Sequence, residues 1–331
     1  MGNSKLFLNG INIGSIKLGT SDVKMFLGSI KVYPIATTWD ITAKFNVTDT
    51  SSPTKIGFNQ YISAFTYIEI DGVVQPSVVS AYTFSTTGEH TVKYTLADPT
   101  TIGQGAFAGC TGLTSIDIPD RVTSIDDWVF SSCSSLSSIT IPSSVTSIGQ
   151  YAFQSCTSLT SINIPSGVTS IGQGAFVGCT GLTSIDIPDR VTSIGPGAFQ
   201  RCTSLTNITI PSSVTSIGRY AFYNCTGLTS CTIGSGVTSI DDWVFSSCSS
   251  LSSITIPSSV TSIGQYAFYN CTSLTSITCN ATTAPTIVAY TFEKVNTGGT
   301  LIVPSGSNGY DTWMQNTYYY LGYYRWRKVE Q

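Results

Sequence analysis

Few side chains in this 331-residue chain could carry out acid–base or nucleophilic chemistry. His90 is the single histidine, and its sequence neighbourhood offers neither a nucleophile to activate nor a second metal ligand. No serine stands in a G-x-S-x-G elbow, and no P-loop or dinucleotide-binding glycine pattern occurs. Two acidic pairs exist, Asp126-Asp127 and Asp241-Asp242. Glycoside hydrolysis needs two acids facing each other across a cleft, whereas adjacent acids share one turn. These pairs therefore read as solvated turns. No catalytic, cofactor-binding or metal-binding residue is expected, and the chain is not read as an enzyme.

The remaining chemistry is that of recognition. Tyr, Trp, Asn and Arg cluster at a few variable positions: Trp128, Tyr151, Arg219, Tyr220, Tyr223, Asn224, Trp243, Tyr266, Tyr269 and Asn270. Flat rings beside short polar arms suit a sugar or a protein surface. The competing reading is that these rings only shield neighbouring segments.

What must position them is a repeat. Phenylalanines recur every 23 residues from Phe107 to Phe268, cysteines from Cys110 to Cys271, and leucines from Leu113 to Leu274. A fixed period of this size marks a solenoid, in which each unit is one coil stacked on the next. Residues 171–193, IGQGAFVGCTGLTSIDIPDRVTS, are a clean unit. Ile185 and Ile187 alternate with polar neighbours at strand spacing, and Pro188 ends the strand because it has no N–H to donate. Val191 and Ile194 suggest a second short extended stretch, and Ala175-Phe176 a compact corner. The periodic cysteines occupy small buried positions, so a column of free thiols is expected in preference to disulfides. Residues 125–147 and 240–262 are identical, which implies recent duplication of coils.

The string L-x-x-I-x-I-P-x-x-V-x-x-I-G-x-x-A-F-x-x-C resembles the BspA-type (Treponema-type) leucine-rich repeat, over residues 102–285. That resemblance implies a solenoid fold, no catalytic motif, and the adhesion and protein-binding roles of bacterial surface proteins. Cys231 in place of isoleucine and Gly234 in place of proline suggest a local irregularity near residue 231. Cys279-Asn280 suggests that the array ends near 279.

The flanks complete the expected architecture. It is mainly β: a short β-hairpin segment (1–34), a small Ig-like β-sandwich (38–98), eight coils (102–285), and a degenerate coil with an aromatic C-terminal cap (286–331). Asn9-Gly10 between alternating apolar residues is a hairpin signal. Residues 38–98 could equally cap the array, because Ile102 follows almost at once. The phrases I-G-S-I-K-L-G and F-L-G-S-I-K-V-Y resemble N-terminal segments of phage and prophage structural proteins. The net charge of −3, with 10% charged residues, argues against nucleic-acid binding. No apolar run is long enough to cross a membrane as a helix. The first 15 residues do not read as a signal peptide.

Two functional expectations follow. The first is a phage virion component of tail or fibre type, joined to other virion proteins (and to its own copies as a homo-oligomer) through residues 1–34, and displaying the array to a host-surface glycan or protein. The alternative is a BspA-like adhesin on a bacterial cell surface.

Overall fold

The computed structural model describes residues 40–57, 65–98 and 100–331, and within the N-terminal segment the strands Lys5–Leu8, Ile11–Ser15, Met25–Leu27 and Ile30–Val32. The chain divides into residues 1–38 and 39–331. In the first unit, Lys5–Leu8 pairs antiparallel with Ile11–Ser15, with Leu8 opposite Ile11. Met25–Leu27 pairs antiparallel with Ile30–Val32.

The second unit is nearly all β. Most coils contribute a longer strand, a corner, a short Ser-Ile strand and a turn that carries Ala-Phe or Val-Phe, while residues 125–147 have only an isolated bridge, Asp117 with Thr140, in place of the longer strand. Successive coils pair in parallel and in register, so that Ser161, Ile162 and Asn163 lie against Ser184, Ile185 and Asp186. Each side chain therefore sits over its own copy one coil away. The phenylalanines form a continuous column: ring centroids from Phe107 to Phe292 are 5.3–5.7 Å apart and planes tilt by no more than 21°. Offset stacking of this kind adds about 0.5–1.5 kcal/mol per pair beyond the area buried.

The ten cysteines are free and buried. Their register shows why the position prefers sulfur to a plain methyl. The thiol of Cys202 donates to the carbonyl oxygen of Phe176 in the coil before, at 3.2 Å, and the other six thiols from Cys133 to Cys271 do the same at 3.0–3.2 Å. Burial pushes the Cys110, Cys179, Cys225 and Cys271 thiols up from 9.0 to about 12. They stay protonated, which the S–H donor requires.

Threonine hydroxyls add a second set of links. Those of Thr183, Thr206 and Thr229 each donate to the carbonyl of the equivalent residue one coil back, at 3.1, 3.4 and 2.8 Å. Asp127 and Asp242, read from sequence as solvated turns, accept the backbone N–H of Gln150 and Gln265 in the following coils, at 2.6 and 2.7 Å.

An open solenoid leaves a bare ring and an unpaired strand edge at each end, and both are covered. Residues 40–98, read from sequence as a small Ig-like sandwich or a cap, supply the strands Ile41–Val47, Phe65–Ile70, Val73–Val74 and Gly88–Leu96. These form one antiparallel sheet that also takes in Leu113–Asp117 of the first coil, through Ile41–Val47. A separate two-stranded ribbon, Thr54–Lys55 with Ala81–Tyr82, lies beside it. Phe65 and Tyr94 rest on Phe107, with centroids 5.4 and 5.3 Å away. Buried Asp40 accepts the N–H of Leu96 at 2.6 Å and pairs with Arg121. His90 is satisfied locally: Nδ1 lies 2.7 Å from the Asp71 carboxylate and Nε2 2.9 Å from the carbonyl of Thr86.

At the other end Trp313 closes the column, 5.3 Å from Phe292, and its indole N–H donates to Pro285 O at 3.0 Å. Tyr310, Trp313, Tyr324 and Trp326 are buried.

Two expectations need correction. The array does not end near 279, because Ser276–Cys279 pairs with Thr300–Val303, which pairs with Arg327–Glu330. Main-chain pairing tolerates the loss of the side-chain motif, so two more rungs follow. Nor is Cys231 irregular, since its strand Ser230–Ile233 pairs in register on both sides and its small apolar thiol fills the isoleucine position. The break falls at the next corner. The sheet of short strands is interrupted between Ser216–Ile217 and Ser239–Ile240. There Gly236 approaches so closely that a Cβ would lie 2.1 Å from Ser212 O.

Two outcomes follow. Phe199→Ala, in mid-column, should cost about 3–5 kcal/mol in urea unfolding; a loss under 1 kcal/mol would contradict a packed column. Because the folded thiols ionise later than unfolded ones, stability should be complete below pH 9 and lost as pH rises toward 12. Denaturation midpoints measured between pH 7 and 11 test the sign.

Candidate functional site

The turn of each coil takes a left-handed conformation at the residue before Ala-Phe or its Val-Phe equivalent. Glycine occupies it in three coils: Gly105, Gly174 and Gly197, at φ 61°, 58° and 62°. In the others the same position carries Trp128, Tyr151, Tyr220, Trp243 and Tyr266, at φ 55–63°, and then Tyr290 at 70°. An L-residue pays about 1–2 kcal/mol for this conformation and glycine does not. The rings are thus held outward on a backbone that glycine would suit better.

They stack on one another in two stretches. Trp128 and Tyr151 lie 5.8 Å apart with planes 5° from parallel. Tyr151 then folds over Gly174, where a Cβ would meet its ring at 2.3 Å, and the row stops. It resumes as Tyr220, Trp243, Tyr266 and Tyr290, with centroids 5.9, 4.1 and 5.0 Å apart, and Tyr319 of the C-terminal cap adds a ring 4.0 Å from Tyr290. At such separations the faces within the row cover one another, so the row presents mainly its edges and hydroxyls.

A second row stands across the first. Tyr223 is 5.9 Å from Tyr220 at 85°, and Tyr269 is 5.6 Å from Tyr266 at 83°. Both contact Trp243, with centroids 6.3 and 6.0 Å away. Between them, in the same register position, lies Ser246. It is fully buried and its hydroxyl has no hydrogen-bond partner, which costs about 1–3 kcal/mol.

Of the ten residues singled out from sequence, the structure gathers Arg219, Tyr220, Tyr223, Trp243, Tyr266 and Tyr269 into one patch. Arg219 pairs with Asp242 at 3.0 Å, its guanidinium 5.9 Å from the Tyr220 ring centroid. Trp128 and Tyr151 form a separate patch beyond the Gly174 and Gly197 coils. Asn224 and Asn270 border the larger patch, and their left-handed backbone, φ 58° and 59°, gives them a structural reason for being asparagine.

Sequence reasoning missed Tyr290 and Ser246. Tyr290 stands 24 residues after Tyr266 instead of 23, which hides it from a strict period. Tyr318 donates to Glu293 Oε1 at 2.9 Å, and that bond raises it to about 12. Tyr319 is raised to about 12 chiefly by its hydrogen bond with Tyr290. Both hydroxyls remain neutral donors at physiological pH. Lys294 Nζ donates to the Tyr269 hydroxyl at 2.7 Å and lies 4.8 Å from its ring centroid.

The repeat that builds this surface defines a family. The model of the BspA type leucine-rich repeat region matches residues 77–206 and 171–297, in six copies, which is more than half of the chain. The chain belongs to that family. Among solved structures, it is similar to the leucine rich repeat protein of T. pallidum, at 32% identity over 48% of this chain and 77% of that one, with a TM-score of 0.46. It is also similar to a leucine rich cell surface protein of Faecalibacterium prausnitzii A2-165, at 26% identity over 72% and 83% of the two chains, with a TM-score of 0.40. The pneumococcal vaccine antigen PcpA shares 16% identity over 64% and 81%, with a TM-score of 0.32. No curated protein matches the chain.

Because position 266 is left-handed, Tyr266→Gly should be more stable than Tyr266→Ala by about 1 kcal/mol in urea unfolding. The reverse order would contradict the backbone assignment.

Proposed function

We propose that this chain is a non-enzymatic adhesion module of a bacterial cell surface, and that it holds its partner along the ridge from Tyr220 to Tyr319. The observation that carries this reading is the choice of Tyr and Trp at left-handed positions where sibling coils use glycine. Rings that merely sealed the solenoid would be needed in every coil, yet at Gly197 the coil packs with no ring beside the glycine. Backbone strain of this kind accumulates where a surface is used. Family membership supports the cell-surface role over the virion role, because the repeats account for the array and lend nothing to a particle anchor. The phage-like reading of residues 1–34, and the virion partners expected through that segment, draw no support from the family model or the solved structures.

The test is binding of purified protein to intact epithelial and bacterial cells. Trp243→Gly/Tyr266→Gly removes two central rings without straining the turn. It should weaken cell binding at least tenfold while the circular dichroism spectrum stays unchanged. Undiminished binding by the folded double variant would refute the ridge as the adhesive surface.

A further inference from the structure

The two identical 23-residue segments, 125–147 and 240–262, provide a comparison inside one molecule. Each has a serine at the same place, Ser131 and Ser246. Ser131 has Ala108 and Gln154 as its row neighbours. It is half-buried, with its hydroxyl 3.5 Å from Gln154 Oε1. Ser246 has Tyr223 and Tyr269 as its neighbours. It is sealed from solvent and its hydroxyl is orphaned. Identical local sequence thus gives a satisfied hydroxyl in one coil and an unsatisfied one in the other, and the difference lies in the flanking rings.

We infer that Tyr223, Trp243, Ser246 and Tyr269 form a closed subsite for one neutral sugar ring, whose hydroxyl partners Ser246 Oγ. This rests on the ridge being the adhesive surface. The serine occupies the register position between Tyr223 and Tyr269, which lie two rungs apart, about 9–10 Å at strand spacing. One wall is fixed, because Tyr269 is tied to Lys294 at 2.7 Å. The other wall, Tyr223, rests on ring contacts with Tyr220 and Trp243. Tyr223 is therefore the ring that swings aside, and the entering group replaces its cover over Ser246.

The chemistry of the opened slot selects the occupant. Its walls are aromatic, and its floor is a hydroxyl that can both donate and accept. A pyranose offers C–H bonds to such walls and hydroxyls to such a floor. The nearby charges are already engaged, Arg219 by Asp242 and Lys294 by the Tyr269 hydroxyl, so nothing calls for an anionic ligand.

The experiment measures binding of the full chain to an array of neutral glucans, galactans and mannans, acidic glycans, and extended peptides. Wild type should bind a neutral glycan. Ser246→Ala should weaken that binding at least tenfold and leave Tm equal or higher, since an unsatisfied group is removed. Ser131→Ala, in the identical coil, should change neither. Equal glycan binding by Ser246→Ala, a clear drop in its Tm, binding of peptides or acidic glycans alone, or no binding to the array would each overturn the subsite. If Trp243→Gly/Tyr266→Gly loses cell binding while Ser246→Ala retains it, the ridge stands and the subsite falls.

Discussion

The structure depends on one constraint: a 23-residue coil that repeats by translation sets every side chain against its own copy. Like must then be able to touch like. Phenylalanine satisfies this by offset stacking, with eight successive steps of 5.3–5.7 Å from Phe107 to Phe292. Charged side chains do not, since a column of one charge would repel itself. The low charge of the chain and its wealth of serine and threonine follow, because a hydroxyl both donates and accepts and can bond to the coil behind it. Cysteine has the same virtue inside the column. It is small enough to bury and still donates to the Phe carbonyl one coil back.

Translation also creates the problem of ends. A column of rings exposes a face at each terminus, and a parallel sheet exposes an edge that invites further strands. The N-terminal sheet solves both at once, with Ile41–Val47 on the edge of the first coil and Phe65 and Tyr94 on its ring. The C-terminus uses Trp313 for the ring and Arg327–Glu330 for the edge. That last strand carries Arg327, Lys328 and Glu330, charges that discourage pairing with another chain.

Where the constraint dominates, the sequence was legible. Period 23 revealed the coils, the Phe column and the buried thiols, because identical residues at identical spacing have one geometric reading. Legibility failed where main-chain geometry decides without a side-chain signature. Arg327–Glu330 continues the sheet with no motif to show it. The left-handed turn at Trp243 or Tyr266 carries no glycine to announce it. A one-residue insertion moved Tyr290 out of step. The orphaned Ser246 hydroxyl could not be foreseen at all, since Ser131 lies in the same local sequence and is satisfied.

The account holds that the outward rings serve recognition, with packing secondary, and a gain of surface tests this most directly. Gly197→Trp would extend the larger stretch of the ridge by one ring beyond Tyr220, at a position where an added Cβ meets only the Gln200 side chain. Titration of this variant against intact cells, beside its urea unfolding curve, separates the roles. The account predicts tighter cell binding with stability unchanged or slightly reduced by the left-handed backbone. A variant that gains stability while binding as wild type does would show that the rings are there to pack.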